Sequence, residues 1–226
     1  MITAAAVCPA PPLLARELTG RAVVLPELRE ACAAAVARLL ASEPATVLVV
    51  GAGAATATWD ADDRLDLSAW APGLRTRGTP RLPLALGLGA MLLDEAGFTG
   101  RRILQAVGEA EPAAACLRLG AVAAGQLDAT AILVMGDGSA RRSPAAPGHF
   151  DERAAPFDLA AEYALRDGDM AAVAAFDAAL ARHLMATGRA AWQVLAGALG
   201  ERRPAGKILY ADAPLGVGYL VAVLDT

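Results

Sequence analysis

A three-layer α/β/α sandwich around a mixed, mainly parallel central sheet is the fold class this sequence predicts, and three observations predict it. Up to Met135, short apolar runs alternate with helical patterns, the arrangement that parallel strands with crossover helices leave in a chain. Two of those runs end in glycine-rich turns, Gly51-Ala52-Gly53 and Gly136-Asp137-Gly138. The remainder is organised differently: helical patterns follow one another and two strands close the chain, near enough to pair antiparallel.

Residues 2–8 (ITAAAVC) read as a strand stopped by Pro9, Pro11 and Pro12. Residues 25–42 read as an amphipathic helix, with Leu28, Cys32, Val36, Leu39 and Leu40 on one face and Pro26 in the first turn. Residues 46–50 (TVLVV) are a buried strand. About thirty polar residues follow, read as a long excursion with an edge strand, carrying Trp59 and Trp70. A helix over 83–96 is weakened by Gly87 and Gly89. A strand at 102–107, a helix at 112–127 and a strand at 130–135 come next. Helices are expected at 154–167, 170–186 and 190–199, then strands at 207–211 and 217–224. No linker or repeat interrupts the pattern, so one domain over 1–226 is expected.

Composition narrows the function. Hydrophobic residues make up 56% of the chain and aromatics 4%, which fits close packing by small side chains. The net charge is -4 and the basic residues form no block, so no nucleic-acid partner is expected. No stretch has the length and apolarity of a membrane span. The N-terminal apolar run is broken by prolines and lacks a basic flank, so a signal peptide is not expected. Cys8, Cys32 and Cys116 are odd in number and have no paired spacing. A disulfide framework or zinc site is not expected, and a cytoplasmic location is.

Ligands of such sheets gather at the carboxyl ends of the parallel strands. Four segments occupy that position: Cys8–Pro12, Gly51–Ala55, Gly136–Arg142 and Tyr210–Gly216. The Gly51 turn begins like a dinucleotide fingerprint, but Trp59-Asp60 follows where a helix must start, and Thr56 stands at the third glycine. In Gly136-Asp137-Gly138-Ser139-Ala140-Arg141-Arg142, a carboxylate, a hydroxyl and two guanidinium groups share one loop. Turned backbone there would expose N–H groups, making Asp137, Ser139, Arg141 and Arg142 candidates for anion binding. The alternative is that Asp137 caps the backbone while the arginines pair with surface carboxylates. Asp137, Asp212 and Cys8 are the candidate catalytic groups. Against that, Asp212 can cap the turn before Pro214, and Cys8 can be a core thiol without a base. Neither histidine is placed at a strand end: His149 sits in a proline-flanked loop, and His183 lies within a helix as a solvent-facing or capping residue. His149 is the one retained as a lone titrating group.

Taken together, these segments resemble the LigB family, the catalytic subunit of class III extradiol ring-cleavage dioxygenases, with its Memo-type relatives. Cys8-Pro9-Ala10-Pro11-Pro12-Leu13-Leu14 is similar to the family's N-terminal P-H-P-P-L turn. Gly51–Ala55 stands where a G-P-S-H-H or N-D-H segment follows the second strand. Gly136–Ala140 is similar to G-D-L-S-H, and Pro147–Asp151 through Phe157-Asp158 to the stretch that follows it. Ala213–Tyr219 is similar to the last strand. The resemblance runs in order along nearly the whole chain, and the G-D-G-S-A-R-R run resembles divergent actinobacterial members.

The resemblance implies an Fe(II) site built from histidines of the first two segments and a carboxylate, with the third segment's histidine as acid–base group. In this chain those positions are Ala10, Ala54 or Ala55, and Ala140, with Asp212 as a loose counterpart of the carboxylate. Alanine offers neither a metal donor nor a proton. The expectation is a pseudoenzyme with no metal site and no cofactor. It would bind a small anionic ligand or a protein partner in the former cleft, as a homodimer or with a second subunit as the family implies. Metal-free chemistry by Asp137, Asp212 or Cys8 is the alternative, followed by a metal-dependent dioxygenase with unorthodox ligands.

Overall fold

Strand β1 (Ile2–Cys8) leads through a short turn of 3-10 helix at Pro12–Leu14 into α1 (Arg16–Thr19) and α2 (Pro26–Leu40). Strand β2 (Thr46–Gly53) is followed by β3 (Ala57–Trp59), β4 (Arg64–Leu65) and β5 (Pro80–Leu82). Then come α3 (Leu84–Glu95), β6 (Arg101–Gly108), α4 (Ala113–Gln126) and β7 (Thr130–Met135). The chain ends with α5 (Ala154–Arg166), α6 (Met170–Ala174), α7 (Ala178–His183), α8 (Gly188–Leu199), β8 (Ala205–Asp212) and β9 (Tyr219–Asp225). This computed structural model describes residues 2–20, 22–60, 63–71, 80–126 and 129–226, with 80 and 81 by backbone alone. Of the predicted excursion, 61–62 and 72–79 lie outside the described residues.

Seven strands form one sheet in the order β3-β6-β2-β7-β1-β9-β8. The four central strands are parallel, β6 to β2, β2 to β7 and β7 to β1. Strand β9 runs antiparallel to both β1 and β8, and β3 runs antiparallel to β6 as the edge strand. The sheet is therefore mixed and mainly parallel, as predicted. Its two faces carry separate apolar layers. One is built with α2 and α3, through Leu28, Val36, Leu86 and Leu93; the other with α4, α5 and α8, through Cys116, Phe157 and Trp192. Layers on both faces explain why the central strands are continuous apolar runs without polar alternation. Among the described residues, no helix is long and apolar enough to cross a membrane.

The helix expected over 83–96 is formed as α3, and its glycines serve close packing: a Cβ on Gly89 would lie 2.6 Å from Val49 Cγ1 and one on Gly87 2.5 Å from Leu65 Cδ1. Another expectation about helices is corrected by local physics. The helix expected over 170–186 is two short helices. The buried amide of Gln193 donates to the carbonyls of Ala174 (3.0 Å) and Phe176 (2.9 Å). Asp177 then restarts the helix by accepting the Leu180 N–H at 2.6 Å.

Candidate functional site at the carboxyl ends of the strands

Parallel pairing puts the ends of β1, β2 and β7 on one edge of the sheet, where β8 also ends and β9 begins. All four segments singled out in the sequence therefore meet there. The chain leaving β1 and β2 feeds helices on one face, while the chain leaving β7 feeds helices on the other. Divergence of this kind opens a crevice between neighbouring strands. The Gly136 N–H donates to the Cys8 carbonyl at 2.9 Å, tying the β7 loop to the end of β1. Gly138 and Ser139 exchange backbone bonds with Gly218, both 2.8 Å, tying it to the start of β9.

The loop Gly136–Arg142 uses its amides internally to the fold. Asp137 N–H donates to Thr187 Oγ1 (3.2 Å), Gly138 N–H to the Gly218 carbonyl (2.8 Å) and Ser139 N–H to Asp158 Oδ1 (2.7 Å). Ala140 N–H donates to the Leu184 carbonyl (3.0 Å), Arg141 N–H to Ser139 Oγ (3.1 Å) and Arg142 N–H to the Gly216 carbonyl (3.0 Å). An anion nest needs such donors free, so the nest expected here is not formed. Ser139 is fully buried and its hydroxyl also donates to the Leu184 carbonyl at 2.9 Å. Its place as a ligand group is corrected to a structural one. Arg142 pairs with Asp158 at 2.8 Å, so it does take a carboxylate partner, but a largely buried one and not one on the surface. Arg141 differs: its Nε is buried without a partner, and its side chain makes no ion pair among the described residues.

Asp158, on α5, was not a site candidate in the sequence. It sits in a cradle of two glycines, where a Cβ on Gly138 would lie 2.5 Å from Oδ1 and one on Gly218 would overlap Oδ2. Those glycines were the available signal, but each reads in sequence as a turn residue. Burial pushes the Asp158 carboxyl up, against the Ser139 N–H and Arg142, which pull it down.

Asp137 is half-buried at the head of the crevice. Its Oδ1 accepts the Ala10 N–H at 2.7 Å, so the first and third segments touch through this carboxyl. Burial pushes its pKa up to about 7; the Ala10 N–H opposes the shift and the nearby charge of Asp158 adds to it. Asp137 in turn helps raise the Tyr219 hydroxyl, which burial raises most. The other two catalytic candidates fare differently. Asp212 is exposed and accepts its own neighbour's N–H, that of Ala213, at 2.7 Å, the capping alternative. Cys8 is fully buried, and hydrogen bonding to the Cys32 thiol and burial both push its pKa up. A thiol that is buried and hard to ionise is not a nucleophile, so its candidacy is corrected.

No family model matches this chain, and no curated protein does. Solved structures do match. One of them is the crystal structure of an uncharacterized protein, JW3007, from Escherichia coli K12. The two are 14% identical over 99% of this chain and 100% of that one, with a TM-score of 0.56. At this identity the likeness shows the fold, an α/β sandwich around a mixed sheet.

The remaining sequence candidates are dispersed. Ala10 and Ala140 are buried, whereas Ala54 and Ala55 are exposed on the turn after β2. His149 occupies an exposed turn at φ 57. His183 ends α7 and is exposed; its Nε2 lies 3.1 Å from Asp151 Oδ2, the carboxylate that also binds Arg153. That pairing joins α7 to the loop before α5, where the Asp151 N–H donates to the Arg141 carbonyl at 3.0 Å. Among the described residues, no group of three or more His, Cys, Asp or Glu side chains is placed to hold a metal.

Proposed function

We propose that this chain is a LigB-like protein without the Fe(II) site, whose strand-end crevice holds a small anionic ligand. The observation that carries this reading is the junction of the first and third segments, where Asp137 binds the Ala10 N–H and alanine stands at 10 and 140. Fe(II) does not fit the residues present. The alanines have no donor atoms, and one oxygen each of Asp137 and Asp212 is engaged by a backbone N–H. For an anionic ligand the candidate groups are Asp137, a hydrogen-bond donor when protonated, and Arg141, whose Nε has no partner among the described residues and whose side chain runs beside Gly148.

A second reading is favoured by one observation, the Asp137 pKa near neutrality. A carboxyl so placed can accept and return a proton at neutral pH. Metal-free acid–base chemistry on a bound substrate would then be its work.

A thermal-shift series with phosphate and carboxylate ions, run beside an anaerobic Fe(II) titration and a catechol turnover assay, tests the proposal. The expected result is stabilisation by an anion, lost in Arg141→Ala, with no stoichiometric iron and no ring cleavage. A ligand at 100 times its Kd stabilises by about 2.7 kcal/mol, enough to read. One iron per chain together with ring cleavage overturns the reading. Absence of any anion effect removes the small ligand and leaves a protein partner for the crevice.

A further inference from the structure

The pairing of the β7 loop with the start of β9 sets two polar side chains side by side. The Gly138 N–H donates to the Gly218 carbonyl and the Gly218 N–H to the Ser139 carbonyl, both at 2.8 Å, so Asp137 and Tyr219 flank one junction. Both belong to the α2 side of the sheet. Tyr219 packs in the apolar layer there, and Asp137 holds the N–H of Ala10, a member of the same layer. Tyr219 is only 4% exposed. Its hydroxyl has no hydrogen-bond partner among the described residues, yet it is not sealed from solvent. A tyrosine buried to this degree ordinarily gives its O–H a protein partner. Asp137 is in the same state at one oxygen: Oδ1 takes the Ala10 N–H at 2.7 Å, while Oδ2 takes no bond among the described residues and is likewise open. Burial keeps both groups neutral further up the pH scale than usual, and the charge of Asp137 reaches the Tyr219 hydroxyl. The other titratable groups felt by the pair are Asp158 on α5 and Tyr210 on β8, and neither is a cation.

We propose, building on the reading of this crevice as an anion site, that its ligand is a small monocarboxylate held between the Tyr219 hydroxyl and the free oxygen of the Asp137 carboxyl. Two neutral O–H donors side by side suit an oxyanion, as a phenol and a protonated carboxyl in apolar surroundings do in an oxyanion hole. They suit one negative charge and not two. A dianion such as sulfate needs cations to offset its desolvation, and no cation acts on either group. A carboxylate needs only the two O–H bonds. The proton on Asp137 is what permits the second of them, since the ionised carboxyl is an acceptor only and repels the ligand. Tyr219 donates throughout the neutral range, because burial raises its phenol.

Propionate is the probe, with propionamide as its neutral match and sulfate as the dianion. Calorimetric titration at pH 6 and pH 8 reads the affinities. With Asp137 titrating at about 7, the binding-competent fraction falls about tenfold over that interval, and propionate is expected to bind more weakly by the same factor. Tyr219→Phe keeps the ring in the apolar layer and is expected to weaken binding at pH 6 roughly tenfold, the loss of one hydrogen bond to a charged group. Asp137→Asn keeps a donor that does not titrate, and is expected to bind propionate equally at the two pH values. A cooperative thermal melt verifies that each variant is folded. Propionate binding that is left intact by Tyr219→Phe, equal at pH 6 and pH 8 in the wild type, or matched by sulfate overturns the carboxylate assignment while the anion site stands. An equal response to propionamide, or no binding of either anion, removes both.

Discussion

Asp137 holds one carboxyl oxygen against the Ala10 N–H while burial works against its ionisation. With the folded pKa at about 7 and the ordinary value at 3.8, the folded state keeps a proton that the unfolded chain releases. Below both values the carboxyl is neutral in either state and costs nothing. As pH rises from 3.8 towards 7, only the unfolded chain gains the favourable ionisation, so stability falls across that window and levels off above it. Three units correspond to roughly 4 kcal/mol as a ceiling, and water at the half-buried group reduces this to a few kcal/mol. Wild type is therefore expected to be less stable at pH 8 than at pH 4.5 in urea melts. Asp137→Asn, which still accepts the Ala10 N–H, is expected to lose most of that slope; an unchanged slope would place the cause elsewhere. The sequence singled out Asp137 because a carboxylate between two glycines at a strand end is conspicuous. It could not place Asp158, because the cradle that receives it joins positions 138, 158 and 218 from three different elements. Ser139 failed for a related reason: a serine beside glycine reads as loop surface until the Leu184 carbonyl is seen above it.

Helices α4 and α8 approach so closely that side chains are excluded at their crossing. A Cβ on Gly120 would overlap the Val194 carbonyl, and one on Gly197 the Leu117 carbonyl. Gly125, on the same α4, has nothing within 4 Å. The two positions form a matched pair. Gly125→Ala is expected to stabilise by about 0.5–1 kcal/mol through helix propensity. Gly120→Ala should instead destabilise by roughly 1–3 kcal/mol, as overpacking outweighs the same gain. Urea denaturation of both variants checks the signs, and two stabilised variants would mean the helices yield at this crossing. Periodicity located nearly every strand and long helix, because apolar runs and helical faces are local patterns. It merged α6 and α7, because the interruption comes from Gln193, which reaches back from α8 to two carbonyls.

In the whole molecule, β9 is an interior strand, inserted between β1 and β8. Its Asp225 accepts from Arg38 on α2 at 2.5 Å, and the Thr226 hydroxyl donates to the Ile2 carbonyl at 3.0 Å. Deleting residues 219–226 would expose both β1 and β8 as unpaired edges and remove Leu220, Ala222 and Leu224 from one layer and Val221 and Val223 from the other. Loss of cooperative unfolding is expected, read by circular dichroism during a thermal melt; a retained sharp transition would show that the five remaining strands of the main body fold alone. The alternation of strands and helices announced the parallel core, and the two terminal strands announced the antiparallel addition. The order of strands was not legible, because it turns on β1 pairing with β7 and β9, which joins residues more than a hundred positions apart.

Loop Gly136–Arg142 is bonded at successive residues to the end of β1, the residue before α8, the start of β9, α5, the residue after α7 and the turn before β9. Those anchors lie in four separate stretches of the chain, at Cys8, Asp158, 184–187 and 216–218. A hinged flap can swing on two points, but a segment moored to this many bodies can move only if several let go together. The floor of the strand-end crevice is therefore preshaped, and its shape is set by the fold as a whole and not by the loop's own sequence.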